Sequence, residues 1–235
     1  MGAYRQDGDR QGGMPPRVIA LVDATGARDT ADSATAGLLD GDPLRMEPFL
    51  DDFEDALLAY ARYGKGPAAG APNILRSRLR PDGACEHPDG QTGAAGFEGV
   101  GAVVIAYPVA GGELPSPVPR MLTAHAFCRP DGQGPLLYAI AATARPDPGV
   151  AAASFERLAP LCPPAGFAWQ GGLAIGDGAL AASAMGCARM GILRRSVSEA
   201  TDRLILRVRC GGPAGVIPTA PKAPRFLRRL LIGGL

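Results

Sequence analysis

The chain holds no C-x-x-C pair, no G-x-G-x-x-G and no G-x-S-x-G. The first absence, with five cysteines scattered at 85, 128, 162, 187 and 210, removes the usual zinc spacings and the thioredoxin-type redox pair. Free thiols in a reducing compartment are the simplest account. The second removes the dinucleotide fingerprint after a first strand, and the third the hydrolase nucleophile elbow. Only two histidines are present, and no Ser-His-Asp arrangement recruits His125. Charge of one sign is also missing: the net value is +1, which argues against bulk attraction to nucleic acid or a membrane surface. No apolar run approaches a membrane span. Residues 1 to 16 lack the apolar core of a signal peptide and read as a disordered polar tail. A cytoplasmic protein is expected.

What is present is 46% hydrophobic residues, sufficient for an ordinary core, on a chain of 235 residues. Val18 to Asp23 and Ala102 to Ala106 are short unbroken apolar runs rich in β-branched residues, as strands buried on both faces of a parallel sheet are. The second is expected to stop at Tyr107-Pro108, since proline cannot donate to a ladder. Gly111-Gly112 then frees the backbone, and Pro115, Pro117 and Pro119 restrain the exit. Between the first strand and the first helix lies ATGARDTADSAT, whose hydroxyls, small residues and helix start suit a phosphate as well as they suit an ordinary cap.

The remaining pattern alternates strands and helices. A helix is expected from about Ser33, broken at Gly41-Asp42-Pro43. Another follows over EPFLDDFEDALLAYARYG, with Phe49, Leu50, Phe53, Leu57 and Tyr60 inward and Asp51, Asp52, Glu54 and Asp55 mainly wet. Ile74 to Arg80 reads as an edge strand guarded by its arginines, and Cys85-Glu86-His87 as a surface loop. Further helices are expected over Val118 to Cys128, Ser154 to Leu161, Ala179 to Arg195 and Ser196 to Cys210. Further strands are expected over Leu136 to Ala142 and Phe167 to Ile175, the last carrying Trp169, which either fills the core, the favoured reading, or packs near a cofactor. Residues 17 to 210 form the domain, and 211 to 235 a basic, apolar extension. About five strand-helix repeats imply a parallel sheet covered on both faces.

Three stretches together resemble the flavodoxin-like NAD(P)H-dependent FMN reductases. Thr25 with Ser33 and Thr35 matches the family's Ser-(x)n-Ser-x-Thr phosphate loop. Pro108 with Leu114-Pro115-Ser116-Pro117 matches its Pro-x-Tyr-x-x-x-x-Pro loop beside the isoalloxazine. The segment from Gly166, GFAWQGGLAIGDG, is similar to a Trp-x-Gly-Gly-Leu-x-Ile-Gly stretch of one branch. The resemblance spans about residues 17 to 195.

It implies an α/β fold of flavodoxin-like type, a doubly wound five-stranded parallel sheet in the order 2-1-3-4-5. It also implies bound FMN and hydride transfer from NAD(P)H to a small acceptor. Thr25, Ser33 and Thr35 would then donate to the phosphate with the backbone of Gly26 and Ala34, and Arg28 would add charge. Pro108, Val109, Ala110, Gly111, Gly112 and Leu114 would line the ring, with Thr143 and Ala144 from the next strand. No side chain need act as acid or base, no metal is expected, and relatives commonly pair as homodimers. The sequence departs from the family at Ala110, where relatives often stack an aromatic, and in the residues 81 to 99. The rival reading is a flavodoxin-like binding or assembly module that has lost FMN.

Overall fold

The computed structural model describes residues 16–25, 44–63, 70–88, 99–124 and 134–222. Seven strands form one sheet: β1 (Val18–Asp23), β2 (Asn73–Leu79), β3 (Cys85–Glu86), β4 (Ala102–Val109), β5 (Leu136–Thr143), β6 (Ala168–Ile175) and β7 (Gly215–Thr219). Their spatial order is β3-β2-β1-β4-β5-β6-β7. Every pairing is parallel except β2 with the two-residue β3. The sheet is thus wider by two strands than the sequence implies.

Alternation along β1 and β4 sends side chains to two cores. Ala20, Val22, Val103, Ile105 and Tyr107 join α2 (Pro117–Ala124) and α3 (Gly149–Leu158) on one face. Ile19, Leu21, Ala102, Val104 and Ala106 join α1 (Glu47–Tyr63), α4 (Gly178–Ala184) and α5 (Arg195–Cys210) on the other. Helices on both faces are what fully apolar parallel strands require.

β4 runs through Pro108 rather than stopping at it. Ala24 donates its N–H to the Ala106 carbonyl at 2.9 Å, so Ala106 faces β1. Pro108 lies two residues on and faces the same way, past β1's last residue, Asp23, so no ladder bond is missed. Pro218 in β7 obeys the same rule: Thr219 accepts from Gly176 at 2.9 Å, which turns Pro218 to the open edge. That strand lies in the segment read as an extension. The expected helix over Ala179 to Arg195 ends at Ala184, and Arg194 instead donates to the carbonyls of Met185 and Cys187, folding the intervening turns around itself. α3 starts at Gly149 and passes into a 3₁₀ turn at Ala159–Leu161.

Other expectations also shift. Tyr60 is 42% exposed, not inward. Asp52 is buried, not wet, and pairs with Arg189 and Arg194. Arg76 and Arg78 do not merely guard an edge: Arg76 pairs with Asp51 at 2.7 Å and Glu54 at 2.5 Å, and Arg78 with Glu47 at 2.8 Å. Cys85-Glu86-His87 is not a surface loop, since Cys85 is buried in β3 and His87 is buried beyond it. Trp169 packs against Phe155 with ring centroids 5.6 Å apart, as a core residue does. The helix expected from Ser33, and His125 and Phe127 of α2's expected continuation, lie outside the described residues.

Burial makes the fold sensitive to alkali. The Cys85 and Cys162 thiols are each pushed up to about 12 by burial, and the Tyr107 phenol is pushed upward by burial despite its bond to Ser154. The folded chain therefore keeps protons that an unfolded chain releases from about pH 9. Their stabilisation is complete below that pH and is lost as pH rises toward 12, Cys85 alone contributing at most about 1.4 kcal/mol per pH unit. Denaturant midpoints are expected to fall steadily above about pH 9; a midpoint flat across that window would contradict the burial.

Candidate functional site at the carboxyl edge of the sheet

In a parallel sheet, strand ends on one edge gather the loops that carry chemistry. Thr25 leaves β1, the stretch from Ala110 to Leu114 leaves β4, and Thr143-Ala144 ends β5; β4 lies between the other two. The register pairs Asp23 with Ala106 and Val109 with Thr143, so these residues share one edge on three adjacent strands. Gly26, Arg28, Ser33, Ala34 and Thr35 lie outside the described residues.

The β4 exit is a tight reversal. Glu113 donates its N–H to the Ala110 carbonyl at 3.1 Å, and Gly111 and Gly112 have φ of 62° and 81°. Two successive positive φ values are what glycine supplies at little steric cost. Gly112 is buried against α3, where an added Cβ would lie 3.6 Å from the Ala153 Cβ, whereas at Gly111 it would meet nothing. Glu113 pairs with Arg157 of α3, and Leu114 packs on the same core, so the turn is held from one side and open at its tip. Pro108 and Val109, expected to line a ring, are buried inside β4 and expose no surface for stacking.

Thr25 is committed elsewhere. Its hydroxyl donates to Asp23 Oδ1 at 2.5 Å and accepts from the Met46 N–H at 2.8 Å. Its own N–H also donates to Asp23 Oδ1, at 2.9 Å. A hydroxyl has one proton, and here it is spent on a carboxylate, so the phosphate-donor role is not open to Thr25 in this arrangement. Thr143 is buried too, and its Oγ1 accepts from the Arg145 N–H at 3.3 Å; Ala144 is exposed. Asp177, at φ 50°, donates its N–H to the Arg145 carbonyl at 2.7 Å and ties the ends of β5 and β6 together.

On the other side of β1 lies a cleft of about 650 Å³ that sequence reasoning missed. Asp23, Ser77, Glu86 and His87 line it, together with Arg76, Arg78, Glu47, Asp51 and Pro88. Ser77 Oγ and His87 Nδ1 are 2.8 Å apart and both residues are buried. The available signal was an aspartate ending an otherwise apolar strand, read only as its boundary. No group of three His, Cys, Asp or Glu side chains able to hold a metal occurs among the described residues. No helix there is long and apolar enough to cross a membrane. No protein-family model, no curated protein and no solved structure matches the chain.

Proposed function

We infer that the chain is a flavodoxin-like oxidoreductase that passes a hydride from NAD(P)H through bound FMN to a small acceptor. The supporting observation is the meeting of the β1 and β4 exits at adjacent strand ends. With β3 and β7 set aside, the order β2-β1-β4-β5-β6 corresponds to 2-1-3-4-5, and the reversal between β1 and β4 is where such sheets take a ligand.

At the ring end Pro108 and Val109 are buried, and the exposed tip of the turn is what remains for a ring. The open space at Gly111 leaves backbone within reach of a flat ring, and Ala110 and Ala144 are small and exposed beside it. At the phosphate end Thr25 offers no free hydroxyl proton, because it is bonded to Asp23. Phosphate contacts then fall to Gly26, Arg28, Ser33, Ala34 and Thr35. Bound FMN would supply the hydride chemistry, and the protein its position and electrostatic setting. The glycine turn, pinned to α3 through Glu113 and Arg157, would orient the ring and keep one side of it from water.

The Thr25–Asp23 bond also favours the second reading, a module of this fold without FMN. A nearby carboxylate opposes a phosphate. The absence of an aromatic at Ala110 forgoes stacking worth about 1–3 kcal/mol in nucleic-acid systems, or about one to two decades of affinity. Titrating FMN fluorescence with the protein separates the two. Saturable quenching weakened by Gly111→Val supports the oxidoreductase, and no quenching up to about millimolar protein supports the module.

A further inference from the structure

We propose that the outer seam between α1 and α5, at the amino edge of the sheet, docks an acidic amphipathic helix of another protein. The seam lies at the opposite edge from the glycine turn and does not depend on bound flavin.

Its placement follows from register. Asp52 of α1 pairs with Arg194 at the start of α5, and Tyr60 sits beside Asp202 of α5. The step from Asp52 to Tyr60 equals the step from Arg194 to Asp202, so the two helices run side by side in one direction. Leu206, one turn past Asp202, therefore comes level with Tyr63, nearly one turn past Tyr60. Both helices end there, where the chain returns to the first residues of β2 and β7. Tyr63 is 85% exposed and Leu206 59%, with Tyr60 exposed beside them. Apolar residues scattered singly on a surface are ordinary, but these meet across two helices as one patch.

The rim of the patch is positive. Arg62 precedes Tyr63 on α1, Arg203 stands nearly one turn before Leu206 on α5, and Arg207 adjoins it; all are exposed. None of these arginines forms an ion pair among the described residues. The acids of α5 are engaged, Asp202 with Arg189 at 2.5 Å and Glu199 with Arg195 at 2.8 Å, and the exposed Asp55 lies two turns before Arg62. Tyrosine and arginine are also the residues that interface cores favour.

Charge then selects the occupant. A second copy of this chain would set the same arginines against one another about a two-fold axis. The segment 223–235 carries three arginines and no acid, so it too meets like charge. A partner whose glutamates or aspartates answer the rim, and whose leucines fill the seam, has neither conflict. Two helices packed side by side leave a groove that a third helix enters more deeply than a flat bilayer does.

The test is fluorescence anisotropy of a labelled peptide of about 18 residues, leucine on one helical face and glutamate on the other. Binding is expected to saturate with Kd below about 1 mM and to weaken as salt rises. Tyr63→Ser, Leu206→Ser and Arg203→Glu alter exposed side chains and should each weaken it about 5-fold or more. The same peptide with lysine in place of glutamate should bind less tightly. Anisotropy flat up to about 1 mM protein, equal binding of the lysine peptide, or indifference to all of these variants would overturn the proposal. So would phosphatidylserine vesicles that bind the chain and lose it in the same variants, since the seam would then be a membrane contact. A concentration-dependent dimer abolished by Leu206→Ser would make it a contact between copies and overturn the proposal as well. FMN is left out of every titration, so the result stands whether or not the chain binds flavin.

Discussion

Asp52→Ala is expected to lower unfolding free energy by about 3–5 kcal/mol, as removal of one partner from a buried ion pair does. The Asp52 side chain is 4% exposed and sits between Arg189 and Arg194, themselves 31% and 11% exposed. Arg189 extends the network to Asp202 of α5 at 2.5 Å, so one carboxylate of α1 organises both the turns after α4 and the neighbouring helix. Without it, Arg194, 11% exposed, keeps no carboxylate partner among the described residues, and that uncompensated charge makes the loss large. Arg189 keeps Asp202 and more solvent, so Arg189→Ala should cost clearly less than Asp52→Ala. Joint replacement by Asp52→Leu and Arg194→Met should recover part of the loss, since apolar groups of like volume can replace a buried pair at little cost. Urea unfolding at constant slope measures all of these. An Asp52→Ala loss below about 1 kcal/mol, the range of surface pairs, would mean that the network is wet.

Gly171→Ala is expected to be among the most damaging of the small substitutions. The β5–β6 register slips between Leu137 and Tyr138, leaving Gln170 outside the ladder and Gly171 at φ 99°. An L-residue there carries strain of about 1–3 kcal/mol. Its Cβ would also lie 2.1 Å from the Gly215 carbonyl oxygen, which is backbone and cannot rotate away. β7 must then part from β6. Tyr138, whose hydroxyl donates to the Gly212 carbonyl at 2.9 Å, ties β5 to the chain entering β7 and would resist that motion. Hydrogen exchange is expected to show lost protection first along Val216 to Thr219, with a fall in thermal midpoint. An unchanged midpoint would show that the bulge relaxes without cost.

The apolar strands were legible because short β-branched runs such as VIALVD suit a doubly covered parallel sheet, and β1 falls where the sequence places it. α1 was legible from its stripe, but the fate of Asp52 was not. Its partners lie 137 and 142 residues away, and no periodicity reports a long-range ion pair. β7 was missed because Gly215 and Pro218 are poor strand formers, and only an edge position next to β6 makes the proline harmless. At the candidate site, the glycine reversal after β4 was readable from Gly111-Gly112. The Thr25–Asp23 bond was not, because a hydroxyl after a strand suits an internal cap as well as a phosphate. The cleft was hidden for a similar reason: its walls come together only when β1, β2 and β3 pair.

The central claim is that the exits of β1 and β4 jointly hold a phosphorylated flavin. The absorption spectrum of the freshly purified protein, recorded before and after incubation with FMN and gel filtration, tests it most directly. The account predicts a yellow protein that keeps near-stoichiometric flavin through the column and is bleached by NADH or NADPH. A protein that emerges colourless even after incubation with about millimolar FMN would contradict it.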